Sequence, residues 1–109
     1  MDTLAAYTEQ CTQWLTAQQL VFESLPCPFF EGKTVLLRLQ EPLQQRVLYL
    51  HLLPLRLWEE LPMSVATWSR RVEALESHLP SGSPRVRLWQ DSWLHQPTLV
   101  QKRLLALLH

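Results

Sequence analysis

Few residues of this chain are equipped for chemistry, and none stands in a complete constellation. Glu31 and Lys33 flank Gly32 as an acid and a base, but a glycine between charges reads first as a solvated turn. Glu59 and Glu60 are adjacent, and neighbouring side chains in a connector diverge, whereas a catalytic carboxylate pair must converge. His51 stands mid-strand among leucines in RVLYLHLL, where a half-buried imidazole bonded to the backbone is expected. No second His, Cys or Asp stands at ligand spacing from it. His78, His95 and His109 fall at helix ends or in a turn, where a cation complements the helix dipole.

Cys11 and Cys27 lack the CxxC spacing of a zinc or redox site and are read as idle thiols, Cys11 on an apolar helical face and Cys27 between two prolines. Having only two glycines, Gly32 and Gly82, argues against a nucleotide-cradling loop, and no GxSxG elbow occurs. Arg70, Arg71, Arg85 and Arg87, with Lys102 and Arg103, are the candidates for touching phosphate. Arg70 and Arg71 alternate with Glu73 and Glu76 as the wet face of a helix does. Trp58, in a connector beside two glutamates, is the candidate for an exposed aromatic at a partner surface, where Trp is enriched.

Hydrophobic periodicity supplies the elements that position these groups. Asp2 and Thr3 offer N-cap chemistry, and Leu4, Tyr7, Cys11, Trp14 and Leu15 mark one face of a helix ending near Ala17. Leu20 to Leu25 is a short first strand closed by Pro26 and Pro28, and Phe29 to Lys33 makes a turn. Thr34 to Gln40, more apolar than alternating, is a second strand covered on both faces. A short polar connection leads to a third strand from Arg46 to Leu53, as in an antiparallel hairpin. Pro54 to Pro62 is a connector. Ser64 caps a helix striped by Val65, Trp68, Val72, Leu75 and Leu79, and Pro80 to Pro84 is the clearest loop. Arg85 to Trp89 alternates as a half-exposed strand. A corner then leads to a last helix from Pro97 with Val100, Leu104, Leu107 and Leu108 facing the core. In the corner, Leu88, Trp89 and Trp93 are expected to be largely buried and Asp91 to bond nearby backbone N–H groups. The order is αβββαβα in a single domain, residues 1–109, of α+β class.

Leu88-Trp89-Gln90-Asp91-Ser92-Trp93-Leu94, followed by Val100-Gln101-Lys102-Arg103-Leu104, resembles the LWEDxW…VxSRLxxLL ending of homing and very-short-patch-repair-like endonucleases. The order of elements is similar to that of restriction-endonuclease-like proteins, in which the last strand lies parallel to a strand of a three-strand meander. The resemblance implies a nuclease fold, with Mg²⁺ held by carboxylates beside a scissile phosphate. Here the sequence departs from it. The second strand holds no acid, the nearest being Glu31 and Glu41, and the third offers only His51. The resemblance therefore carries over at most Glu9, Glu23 and His51 as catalytic residues, with Mg²⁺ as cofactor only if the domain is active. A non-catalytic domain with no cofactor is the expectation. An adaptor of unrelated α+β fold, without the parallel last strand, is the remaining alternative.

Ten basic and ten acidic residues cancel, which disfavours a dedicated nucleic-acid binder without excluding a local patch. Charged residues make up 18% and hydrophobic ones 47%, with five Trp, so a surface short of charge points to a protein partner or a homo-oligomer. No apolar run approaches the roughly 20 residues that span a bilayer, nothing at the N-terminus resembles a signal peptide, and a cytoplasmic location is expected.

Overall fold

The computed structural model describes residues 3–27, 30 and 32–109. The capping expected of Asp2, the start of the turn at Phe29, and the Glu31 side of the Glu31–Lys33 pair lie outside these residues.

The fold is α+β: helices cover both faces of a four-stranded mixed sheet. Helix α1 (Leu4–Ala17) opens on Thr3, whose hydroxyl accepts the Ala6 amide at 3.1 Å. It closes without glycine. Gln19 takes the left-handed conformation (φ 61°), while the Leu20 amide reaches back to the Leu15 carbonyl and the Gln19 amide to that of Thr16. These two bonds are the Schellman pattern, built on a glutamine. Strand β1 (Val21–Leu25) follows, then β2 (Val35–Glu41) and β3 (Arg46–Leu53). The β2–β3 turn is held by Glu41, whose carboxylate accepts the amides of Leu43 at 2.9 Å and Gln44 at 2.6 Å. Those bonds, that to Gln44 foremost, hold its carboxyl below the usual range.

A single-turn helix α2 (Leu57–Glu60) interrupts the expected connector, because Leu57 drops into the core and the chain must coil to place it. Helix α3 (Val65–Ser77) begins on Ser64 as expected, and β4 (Arg85–Trp89) runs directly into α4 (Gln90–His95) and α5 (Pro97–Leu108). The Trp-rich corner is thus a short helix. Two stripe residues are corrected: Val65 is 74% exposed, since the first turn of α3 overhangs the sheet, and Leu107 is 41% exposed at the rim of α5.

The strands lie in the order β1-β2-β3-β4, antiparallel except that β3 and β4 are parallel. Alternation sorts side chains onto two faces. Leu37 and Leu39 of β2, Leu48, Leu50 and Leu52 of β3, and Leu88 of β4 join Tyr7, Cys11 and Leu15 of α1, Trp93 of α4, and Leu104 and Leu108 of α5. Leu36 and Leu53 face the other way, against Phe30, Leu57, Leu61 and the Trp68–Val72–Leu75 stripe of α3. Trp93 meets Trp14 edge-on at 6.0 Å between ring centroids. The Tyr7 hydroxyl donates to the Leu88 carbonyl at 2.6 Å, fastening α1 to β4, and burial holds that phenol well above its ordinary range.

Candidate functional site

The sheet's alternation separates the residues the sequence singled out for catalysis. His51 shares its face of β3 with Leu53, and its ring lies 5.4 Å from that of Phe30. Glu9 sits on the exposed side of α1, which packs on the opposite face of the sheet, and its carboxylate accepts from the Gln13 amide at 3.3 Å. Glu23 lies on the His51 face, but on β1. There its register partner is Arg38, which pairs in turn with Tyr49, two residues from His51. The structure does not bring these three together. Among the described residues no group of three or more His, Cys, Asp or Glu side chains is placed to hold a metal ion.

His51 itself is buried rather than half-buried, and its partner is a side chain rather than the backbone. Its Nε2 lies 2.8 Å from the Thr34 hydroxyl, which lies 3.4 Å from Cys27 Sγ; the thiol and Nε2 are 3.9 Å apart. The turn before β2 swings Cys27 and Thr34 onto the end of β3, closing a polar knot that spacing along the chain conceals. Burial pushes the imidazole down to about 4, with Arg87 adding to the effect, and burial also pushes the Cys27 thiol up. At neutral pH the pair is therefore thiol and imidazole, not thiolate and imidazolium. The knot holds no activated nucleophile. Its chemistry is structural: it satisfies polar groups beneath Phe30.

The arginines divide. Arg87 grips one carboxylate oxygen of Glu76 on α3 through Nε at 3.2 Å and an Nη at 2.9 Å. Arg85 reaches the carbonyls of Leu79 and Pro80, closing the end of α3. Both also stand on β4, one of the two edge strands of the sheet. Arg70 is exposed on α3, and Arg71 beside it is half-buried. Asp91 does not bond the backbone as expected; it faces His95 one turn later at 3.1 Å, both side chains well exposed.

Trp58 is the outer end of an aromatic stack. It lies 4.9 Å from Trp68 and 6.5 Å from Trp89, and Trp68 lies 5.0 Å from Phe30. Trp68 and Phe30 are buried and Trp89, expected to be largely buried, is half-buried, while Trp58 stays 42% exposed. Leu55 beside it is 41% exposed. A short helix thus presents an indole to solvent on a rigid footing, where its rotamers are already restricted. No family model, curated protein or solved structure matches the chain.

Proposed function

We propose that this chain is a non-catalytic domain of restriction-endonuclease-like descent that works by binding protein, with Trp58 at the contact surface. The observation that carries the binding half is the half-exposed Trp58 indole held on the Trp68–Trp89–Phe30 stack. An aromatic anchored in that way loses little freedom on contact, which is why Trp is common among residues that dominate interfaces. The descent is supported by the element order and by β4 lying parallel beside β3, next to a corner that carries Leu88, Trp89 and Trp93. The non-catalytic half is supported by the separation of Glu9, Glu23 and His51 described above. Two free thiols, Cys11 and Cys27, suit a reducing cytoplasm. No helix among the described residues is long and apolar enough to cross a membrane.

The test replaces Trp58 with a photo-crosslinking phenylalanine derivative in cells that make the protein, with Leu43, 93% exposed on the β2–β3 turn, as the control position. The expected result is a discrete adduct at position 58 that position 43 does not give, its mass separating a second copy from a different protein. Equal, diffuse labelling at both positions removes Trp58 as the contact. Mg²⁺- or Mn²⁺-dependent nicking of plasmid DNA that disappears in His51→Ala would replace this reading with the endonuclease one.

A further inference from the structure

The two edges of the sheet carry opposite charge on the same face, Glu23 on β1 and Arg85 and Arg87 on β4. Strand β1 is exposed along Val21, Phe22, Glu23 and Ser24, with Val21 at 55% and Phe22 at 37%. The pairings fix its orientation. It is antiparallel to β2, β2 is antiparallel to β3, and β3 is parallel to β4, so β1 and β4 point the same way. They fix the faces too. Leu25 pairs with Leu36 and packs on the α3 side, which puts Glu23 on that side and Phe22, paired with Leu39, on the other. On β4, Arg85 and Arg87 share the α3 side with Trp89, whereas Val86 and Leu88 share the α5 side.

We infer that β1 of one copy docks in parallel along β4 of the next, extending the sheet head to tail. This rests on the proposed protein-binding role and names a second copy of the chain as one partner. Sliding one copy along the sheet direction brings the edges together with faces matched and no strand reversed. The Pro84 carbonyl accepts the Tyr49 amide at 2.9 Å, so alternation points the backbone groups of Arg85 and Arg87 away from β3 and toward an incoming strand. The register that sets Glu23 beside Arg87 sets Phe22 beside Val86. There a cleft of about 100 Å³ opens between β4 and α5, lined by Val86, Leu88, Val100, Leu104 and Leu107 together with the polar residues Arg87, Ser92 and Arg103. The acid thus approaches Arg87, which also holds Glu76, and Arg85 on one face, while the aromatic enters a partly apolar cleft on the other.

Like-with-like pairing lacks this match. In the twofold register that centres on residue 23, two β1 strands set Glu23 against Glu23, and two β4 strands paired about residue 86 set Arg85 against Arg87; like charges directly across strands repel. The unlike pairing is heterologous, so it adds copies without closing at two. Strands of five residues make a small contact, which places the association in the weak class.

The experiment is sedimentation velocity on the whole chain from about 10 µM to about 1 mM, a range suited to weak interfaces, at low and high salt. The expected result is a weight-average mass that climbs past twice the monomer's without a plateau and falls back as salt rises. Glu23→Lys should return it to monomer, as should Arg85→Glu with Arg87→Glu, and an equimolar mixture of the two should recover association. Phe22→Ser, which leaves every charge in place, should weaken it at least tenfold and covers the case in which the arginine variant folds poorly by circular dichroism. A monomer at every concentration, or an assembly indifferent to Glu23→Lys, overturns the pairing. Either result leaves the position-58 adduct as a separate question, and loss of that adduct leaves charge-dependent assembly standing.

Discussion

Acidification should destabilise this protein through one buried imidazole, and the size of the effect follows from where His51 sits. An unfolded chain protonates a histidine near pH 6.5, whereas the folded protein holds His51 neutral down to about 4. Above pH 6.5 both states are neutral there and the residue contributes no pH dependence. Between 6.5 and about 4 the unfolded chain binds a proton that the native state refuses, so stability falls as pH falls through that window. At 1.36 kcal/mol per pH unit the loss is about 3 kcal/mol by pH 4, a large share of a small domain's margin of roughly 5–15 kcal/mol. Urea titrations at pH 7.5, 6, 5 and 4.5 on wild type and His51→Gln measure it directly. The variant starts less stable, having given up the Thr34 bond, but its stability should decline less steeply than the wild type's across that range. Glu41, whose carboxyl is held low by the turn amides, adds a further loss toward more acid pH that both proteins share and subtraction removes. Parallel slopes in the two proteins would mean that His51 accepts a proton in place, and the buried-knot account would fail.

Other consequences are equally direct. Trp93→Ala, which empties a nearly buried site against Trp14, should cost about 3–5 kcal/mol in a thermal or urea melt. Asp91→Asn, which touches only an exposed pair with His95, should change stability by less than about 1 kcal/mol. Gln19→Gly, which relieves a left-handed residue at the end of α1, should stabilise by about 0.5–1 kcal/mol, and a loss instead would deny the strain. Ellman's reagent at pH 8 should leave Cys11, buried and pushed up to about 12, unlabelled in the native state and label it fully in urea, with Cys27 reacting slowly in between.

Strong local patterns made much of the fold legible. RVLYLHLL is bounded by a polar turn and a proline, and β3 spans Arg46 to Leu53 as read. Ser64 and Thr3 cap the helices they were expected to cap. The short helices α2 and α4 escaped notice because a single turn contributes too few apolar positions to establish a period. Val65 and Leu107 were misplaced for a related reason: a stripe gives the direction in which a side chain points, but not whether the sheet extends beneath it. The knot at His51 depended on something no window of sequence contains, the β2–β3 register that places Thr34 beside a residue 17 positions away. The spread of Glu9, Glu23 and His51 likewise follows from which face each element packs on, and that parity is set by the whole assembly.

The bond from Tyr7 to the Leu88 carbonyl joins residues 81 positions apart, and the same face of the sheet is completed only by Leu104 and Leu108. On the ribosome, then, the first helix can bury its apolar stripe only in part, against the β2 and β3 leucines, until α4 and α5 have been made. The β2–β3 hairpin, whose contacts are local, can assemble early; the layer over α1 cannot. For that interval Trp14 and the side of α1 that Trp93, Leu104 and Leu108 later cover are open to whatever chaperone attends the nascent chain, and a ribosome stalled before α5 should leave α1 more sensitive to protease than it is in the complete fold.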